Sequence, residues 1–372
     1  MNITFLAPAL TLDGGTRVIA IYAQLLTRMG HRVVVAVPKP RLPSLRTRVR
    51  ALRRGVLCDA LGQWAERRAP SHFDGVDVEV IRANRRGVIV PSDIPDADVL
   101  VATWWETAEW ALAMPRSKGA GCYFIQHHEV FDYLPVQRVR ATYRSQLHKI
   151  VIARWLADVM RVEYGDSDVD LVPNAVDHAM FYGSSRRKQS LPTVGLMYSS
   201  TPFKGVPVAI EALRILRQKL PSLRILSFGI SAHPDFRDLG DIVTYAHSPP
   251  QCQIRKIYNS IDVWLSASVS EGFNLPALEA MACRAPVVST RHGWPAEAIS
   301  CGKNGYLVEI NNAGGLAERM LDVLLMPNAA WQEMSRTATA TAKAYSWQRS
   351  AELFVRALER GVENYSRLQL KR

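Results

Sequence analysis

The chain has 372 residues, 48% apolar, 22% charged and 8% aromatic, which excludes disorder, collagen and coiled coil and, at roughly 100–200 residues per domain, predicts two globular domains. Its 46 Lys+Arg against 34 Asp+Glu leave a net +12, a surplus that asks for an anionic partner: nucleic acid, an acidic membrane surface or a phosphorylated ligand. No stretch approaches the roughly 18 uninterrupted apolar residues of a bilayer span, so any membrane role is expected to be peripheral.

Residues 3–7 form a short apolar run that stops at Pro8 and lacks a preceding basic segment, so they read as a first strand rather than a signal peptide. Asp13-Gly14-Gly15-Thr16 breaks the run, residues 18–29 follow with apolar positions at helical spacing, and Gly30 is placed as a C-cap. Residues 33–37, 78–81, 99–103 and 122–126 are expected strands. Between Lys39 and Arg54 stand seven cations and no acid, with Leu45, Val49, Leu52 and Val56 at spacings of 4, 3 and 4. A helix here would set an apolar stripe against an arginine face, either as an interfacial segment for anionic lipid or as an ordinary surface helix on the core.

The polar stretch between Phe181 and Pro192 reads as a flexible linker. Beyond it, strands are expected at 193–198, 223–228, 243–246, 263–267 and 286–289, with helices at 208–219, 254–259 and 275–282. Alternating strands and helices on both sides of one linker predict two parallel-sheet α/β domains facing a central cleft. The expected division is 1–183, 184–345 and a helical tail at 346–372. The five cysteines, Cys58, Cys122, Cys252, Cys283 and Cys301, are odd in number and form no C-x-x-C pair. They are read as reduced thiols of a cytosolic protein, with no structural zinc.

The segment from Ser270 to Ala282 carries the most chemistry. A strand precedes it and a helix opens at its centre, so the amides of Phe273, Asn274 and Leu275 are expected at the positive end of a helix dipole, an anion site. Pro276 suits the first helical turn, where its missing N–H costs nothing. Glu271 precedes the helix and Glu279 lies about one turn inside it, so they would address different parts of one ligand, or else are a solvated loop acid and a surface helix acid. Gly14-Gly15 is a turn that lets backbone approach a phosphate, or simply a tight strand-to-helix connection.

Glu271-Gly272-Phe273-Asn274-Leu275-Pro276-Ala277-Leu278-Glu279 followed by Ala285-Pro286-Val287-Val288-Ser289-Thr290 resembles the signature of glycosyltransferase family 4, retaining enzymes of the GT-B architecture. Val172-Pro173-Asn174-Ala175-Val176-Asp177 with Phe181, Phe203-Lys204-Gly205-Val206, and Gly302-Lys303-Asn304-Gly305-Tyr306 resemble three further words of that family in the same order. The resemblance implies that Glu279 binds the ribose of a nucleotide, Lys204 neutralises its diphosphate, and Gly272 and the amides of Phe273, Asn274 and Leu275 line the sugar and phosphate. It places Glu271 beside the transferred sugar and makes Gly14-Gly15 the first-domain glycine loop. The tail would cross back onto the first domain.

Two departures stand out. The family's Arg five residues before the Lys is Ser199 here, which leaves the hydroxyls of Ser199, Ser200 or Thr201 to compensate. The first-domain His that touches the donor sugar has three competitors, Gln126, His127 and His128. This segment and Ala102-Thr103-Trp104-Trp105-Glu106 resemble a branch that includes rhamnosyltransferases. The implied activity is retaining transfer of a sugar, a 6-deoxyhexose in that branch, from a nucleoside diphosphate to a glycan or lipid-linked acceptor in cell-envelope synthesis. The donor would bind the second domain and the acceptor the first. Asp96-Ala97-Asp98 and Asp166-Ser167-Asp168-Val169-Asp170 carry D-x-D patterns that elsewhere hold a nucleotide-bound metal. They are read as solvated loop acids, with no cofactor and no metal required. The alternatives are an inactive nucleotide-sugar-binding relative and a basic nucleic-acid-binding protein. The net charge is +4 up to Met180 and +8 beyond it, which favours a phosphorylated donor, then an anionic membrane, over nucleic acid.

Overall fold

The structure is a computed structural model that describes residues 1–41 and 70–370. The expected basic amphipathic helix lies outside the described residues from position 42 onward, as does Cys58. Contacts divide the chain into two units, one of Met1–Ile152, Leu156–Val172 and Ala351–Arg372, the other of Ala153–Trp155 and Pro173–Ser350.

The first unit is a seven-stranded parallel sheet in the order β3-β2-β1-β4-β5-β6-β7. Its strands are β1 (Asn2–Leu6), β2 (Arg32–Lys39), β3 (Glu79–Arg86), β4 (Val99–Ala102), β5 (Ala120–Ile125), β6 (His148–Val151) and β7 (Val169–Leu171). The runs Val33-Val34-Val35-Ala36-Val37 and Val99-Leu100-Val101-Ala102 are buried throughout, as strands covered on both faces must be. The helices are α1 (Gly14–Arg28), α2 (Trp105–Leu112), α3 (Val136–Tyr143) and α4 (Arg154–Tyr164). Helix α1 starts at Gly14, not at residue 18 as expected, because the Asp13 side chain caps it by accepting from the Thr16 amide at 2.8 Å.

The second unit is a six-stranded parallel sheet in the order β10-β9-β8-β11-β12-β13. Its strands are β8 (Thr193–Met197), β9 (Arg224–Gly229), β10 (Val243–His247), β11 (Val263–Ser266), β12 (Val287–Thr290) and β13 (Gly305–Val308). Around them lie α5 (Val206–Lys219), α6 (Gln251–Asn259), α7 (Leu275–Ala282), α8 (Gly293–Ala298), α9 (Ala313–Leu325) and α10 (Asn328–Lys343). Leu213 and Leu216 of α5 and Leu316, Met320 and Val323 of α9 close one face over Leu196 and Leu265, each such buried side chain contributing about 1.5–3 kcal/mol.

The expected flexible linker is instead fastened to the second unit. Arg186 donates to the Ile261 carbonyl and lies over the Trp331 ring, Lys188 Nζ donates to the Leu324 carbonyl, and Gln189 N donates to Asp262. The cations of this stretch are thus spent on the ends of neighbouring elements.

Helix α11 (Trp347–Leu370) closes the chain, its residues from Ala351 onward belonging to the first unit. Phe354 stacks on Phe5 and Tyr22 and meets Phe124 edge-on. Arg360 pairs with Asp168 and Asp170, Asp170 also holds His148 at 2.7 Å, and Asn364 donates to Asp168. Asp166 pairs with Lys149 at 2.6 Å. Of the acids read as solvated loop residues, Asp168 stays largely exposed, whereas Asp166, just before β7, and Asp170, on it, are partly buried against the cations of β6 and α11. Of the other pair, Asp96 is bridged by Lys118 and Asp98 accepts the Asn2 amide. Among the described residues no group of three or more His, Cys, Asp or Glu is arranged to hold a metal, and no helix is long and apolar enough to cross a membrane.

Candidate active site

In each sheet the strand order reverses beside the first strand of its unit, between β1 and β4 and between β8 and β11. Loops leaving the carboxyl ends of strands diverge at such a point and open a crevice. In the second unit the loop after β8 delivers Lys204 and the loop after β11 delivers Glu271. Gly205, which follows the lysine, has φ +65° and lies so close to the Ala267 carbonyl that a Cβ would collide with it. The glycine of the Lys-Gly word is thus required by the approach of α5 to the end of β11.

Lys204 Nζ donates to both oxygens of Glu271 at 2.8 Å, and Ser268 Oγ donates to Oε1 at 2.9 Å. Glu271 is buried. Burial alone pushes its carboxyl up, but the Lys204 ammonium, His292 and the Ser268 hydroxyl outweigh that and hold it below the usual carboxylate range. The two residues assigned separately to a diphosphate and a sugar therefore form one unit. Two of the three ammonium protons face Glu271, which leaves one donor for an incoming anion.

The turn between Glu271 and α7 is held from several sides. Asn274 adopts φ +85°, a left-handed conformation that Asn tolerates. Its Oδ1 caps α7 by accepting from the Ala277 amide, and its Nδ2 donates to Ser266 Oγ. The Asn274 side chain is thus structural, and only its backbone is offered to a ligand. The indole of Trp155 donates to the Gly272 carbonyl at 2.9 Å, and the Trp294 amide donates to the Phe273 carbonyl while the two rings stack at 5.3 Å. Because C=O and the following N–H point opposite ways across a trans peptide, pinning these carbonyls orients the amides of Phe273 and Asn274. The Leu275 amide opens the helix and has no intrahelical acceptor. Lys204, Glu271, Ser268, Asn274 and Pro276 line one pocket. Glu279 lies on α7, buried, with the Tyr258 hydroxyl donating to it at 3.1 Å. Ser199 Oγ accepts the Thr201 amide, and Ser200 lies in the same loop after β8.

In the first unit Gly14 and Gly15 form the first turn of α1, neither with positive φ. A Cβ on Gly14 would meet nothing within 4 Å, and one on Gly15 would lie 3.2 Å from Asp13 Oδ1. They form an open helix start rather than a tight turn ahead of the helix. Gln126 Nε2 donates to the Gly15 carbonyl at 3.4 Å, so β5 ends against the glycine loop. The three residues after β5 diverge. His128 shares a 2.6 Å hydrogen bond with the Tyr164 hydroxyl, and burial foremost lowers its pKa. His127 bonds the His128 carbonyl through Nδ1 and tilts against Phe131.

Sequence reasoning passed over Ser268, His292, Tyr258 and Trp155, which touch the loop or its acids, and Glu129. The Glu129 carboxylate is buried, accepts the Trp105 amide at 3.1 Å and is pushed well above its ordinary pKa by that burial. Its position directly after two histidines was the one available signal. The others come from segments remote in sequence.

Residues 188–325 match the family Glycosyl transferases group 1. The D-inositol 3-phosphate glycosyltransferase of Paenarthrobacter aurescens (strain TC1) is 32% identical over 229 residues, 55% of this chain and 55% of that protein. The chain thus spans about half the length of the curated relatives it matches. Among solved structures, sucrose-phosphate synthase from Thermosynechococcus elongatus has a TM-score of 0.71 at 15% identity and covers 100% of both chains. Anabaena Alr3699/HepE in complex with UDP-glucose has a TM-score of 0.72 at 16% identity, covering 96% of this chain and 99% of that one. The chain's two parallel Rossmann-like sheets thus have the GT-B fold of these neighbours, and the second unit matches the Glycosyl transferases group 1 family.

Proposed function

We propose that this protein is a retaining glycosyltransferase that moves a sugar from a nucleoside diphosphate to a hydroxyl of a glycan or lipid-linked acceptor. The observation that carries this reading is the Lys204–Glu271 pair, set beside the start of α7 at the strand-order reversal, with Glu279 on the same helix. The donor is assigned to the second unit. Glu279 accepts from the ribose hydroxyls, the Phe273 and Leu275 amides and Lys204 take the diphosphate, and Glu271 and Gly272 face the sugar.

In the reaction the bond between the anomeric carbon and the diphosphate oxygen breaks. The acceptor oxygen bonds that carbon on the same face, and its proton passes to the departing diphosphate. Charge growing on the leaving group is stabilised by Lys204 and by fixed backbone donors, which need no reorganisation as the reaction proceeds. These groups supply the counter-charge that Ser199 does not, and the reading includes no metal or cofactor. His127 is the first-unit side chain favoured for contact with the sugar, since His128 is committed to Tyr164.

A uridine diphosphate donor is supported by the neighbour crystallised with UDP-glucose, and a phosphorylated polyol acceptor by the printed name of the Paenarthrobacter relative. A 6-deoxyhexose such as rhamnose and a role in envelope synthesis on the cytosolic side, with the 39–54 segment on anionic lipid, rest on the sequence resemblance. The test is nucleotide release from UDP-, GDP- and dTDP-sugars by the wild type and Glu279→Ala, with and without EDTA. Release with one donor class, insensitive to EDTA and lost in the variant, is expected. No binding or turnover with any donor would overturn the reading. Flotation with anionic vesicles, comparing the wild type with a variant neutralised at Arg46, Arg48, Arg50, Arg53 and Arg54, tests the membrane part, which fails if the two behave alike.

A further inference from the structure

The loop that leaves β5 does more than carry His127 and His128. From His127 the rings continue outward: His127 to Phe131 at 5.1 Å, then Phe131 to Tyr133 at 5.4 Å with their planes only 5° apart. The Leu134 amide donates to the Phe131 carbonyl at 2.9 Å, closing residues 131–134 into a turn that holds both rings at its tip.

The base of the loop is equally fixed. The Glu129 carboxylate accepts the Trp105 amide of α2, the Glu129 amide donates to the Tyr143 hydroxyl at 2.9 Å, and that hydroxyl donates to the His127 carbonyl at 3.2 Å. The residues leading into the turn are thus held by α2 and α3, and the turn closes on itself beneath the aromatic pair. Yet Tyr133 is 71% exposed, exceeded among the large apolar side chains of the described residues only by Val162 and Ile230 at 73% each. Asp132, which separates the two aromatic residues in sequence, is exposed as well. A flat exposed aromatic face with an exposed carboxylate on the adjoining residue suits one chemistry well: a six-membered ring in chair form whose axial C–H bonds lie on the aromatic face while its hydroxyls donate to the acid.

We propose that Phe131, Asp132 and Tyr133 form the acceptor subsite of the first unit, where a hydroxylated six-membered ring, a pyranoside or a cyclitol, stacks on Tyr133 and hydrogen-bonds Asp132. This rests on the glycosyltransferase reading and names the substrate class of its second reactant. Preorganisation of the loop means that little ordering is required on binding. Tyr133 touches nothing the core depends on, so its removal leaves the fold intact. The alternative occupant of an exposed tyrosine is a lipid interface, which would use the ring but has no use for Asp132.

Saturation-transfer NMR on the full chain, with methyl α-D-mannopyranoside, methyl β-D-glucopyranoside, myo-inositol and inositol 3-phosphate as separate probes, reads the contact directly. At least one probe is expected to show saturation concentrated on the protons of one ring face, and the pyranoside and cyclitol arms tell the two sources apart. Tyr133→Ala should weaken that probe by about tenfold in Kd, the equivalent of losing one aromatic stack. Tyr133→Phe should retain it, and Asp132→Asn should weaken it without abolishing the one-face pattern. UDP-glucose binding, measured on the same samples, should be unchanged in all three variants. Donor binding absent from the wild type would defeat the glycosyltransferase reading while leaving this one to be judged on the ring probes. No signal from any probe, or Tyr133→Ala equal to the wild type, would overturn the subsite. Loss of vesicle binding in Tyr133→Ala with ring binding unchanged would assign the surface to lipid instead.

Discussion

Lys204→Ala separates the electrostatic account of the site from its assumed chemistry, because its first effect is on stability. Removing one partner of a buried ion pair costs about 3–5 kcal/mol. Here Lys204 keeps 23% of its side chain exposed and Ser268 still donates to Glu271, so about 2–3 kcal/mol is expected. For a unit of this size that is a fall in Tm of roughly 5–10 °C.

The pH dependence fixes the cause. In the wild type the Glu271 carboxyl is held below its ordinary value. Its contribution is present above the unfolded pKa of about 4.3 and is lost as pH falls through the lower folded value. Without Lys204 burial is opposed only by His292 and the Ser268 hydroxyl and drives the carboxyl upward, so folding of the variant is penalised increasingly as pH rises above about 4.3. Differential scanning calorimetry at about pH 4.5 and about pH 7.5 should show the gap widen with pH, and adding Glu271→Gln should recover much of it at the higher pH. A fall below about 2 °C at neutral pH, or a gap indifferent to pH, would refute the reasoning.

Glu279→Gln keeps the shape of the side chain and an acceptor for Tyr258 but removes the charge, so donor affinity should fall by about 10–100-fold with little change in Tm, as isothermal titration with a UDP-sugar would read. Glu129 has the opposite sign to Glu271: its folded pKa is raised by burial, so folding is progressively penalised as pH rises from the unfolded value towards the folded one. Glu129→Gln should therefore gain in Tm relative to the wild type between about pH 5 and about pH 8, and a constant difference would count against it. Phe354→Ala removes the ring shared by Phe5, Tyr22 and Phe124 and should cost about 3–5 kcal/mol. Hydrogen exchange should then rise along α11 and β1, and unchanged protection in β1 would mean that the helix is not part of that core.

Much of the fold was legible in the sequence because strands buried on both faces must be continuous apolar runs. The stretches at 33–37, 99–102 and 263–266 cannot be read otherwise. Short elements such as β6 and β7 escaped: His148-Lys149-Ile150-Val151 is half polar, and its His and Lys are buried only because Asp170 and Asp166 come from β7 to meet them. Pairing of that kind has no one-dimensional trace. The same limit applied to the polar stretch after Phe181, which reads as a flexible linker although carbonyls from α9 and the loop before β11 hold its charges.

The site divides along the same line. Local order alone determines the parts built within one turn of chain: the glycine after Lys204, the asparagine that caps α7, the proline behind it, and two glutamates on either side of a helix start. Only the tertiary structure decided that Lys204 and Glu271, 67 residues apart, neutralise each other. It also decided that Trp155 and Trp294 aim the amides between them, and that of two adjacent histidines one turns to Tyr164 while the other begins a ladder of rings. Sequence specifies which groups are present and the turns that carry them. Which charge faces which is set by the crossing of strands that bring distant loops to one edge of a sheet, where burial makes each unpaired charge costly and so selects the partner.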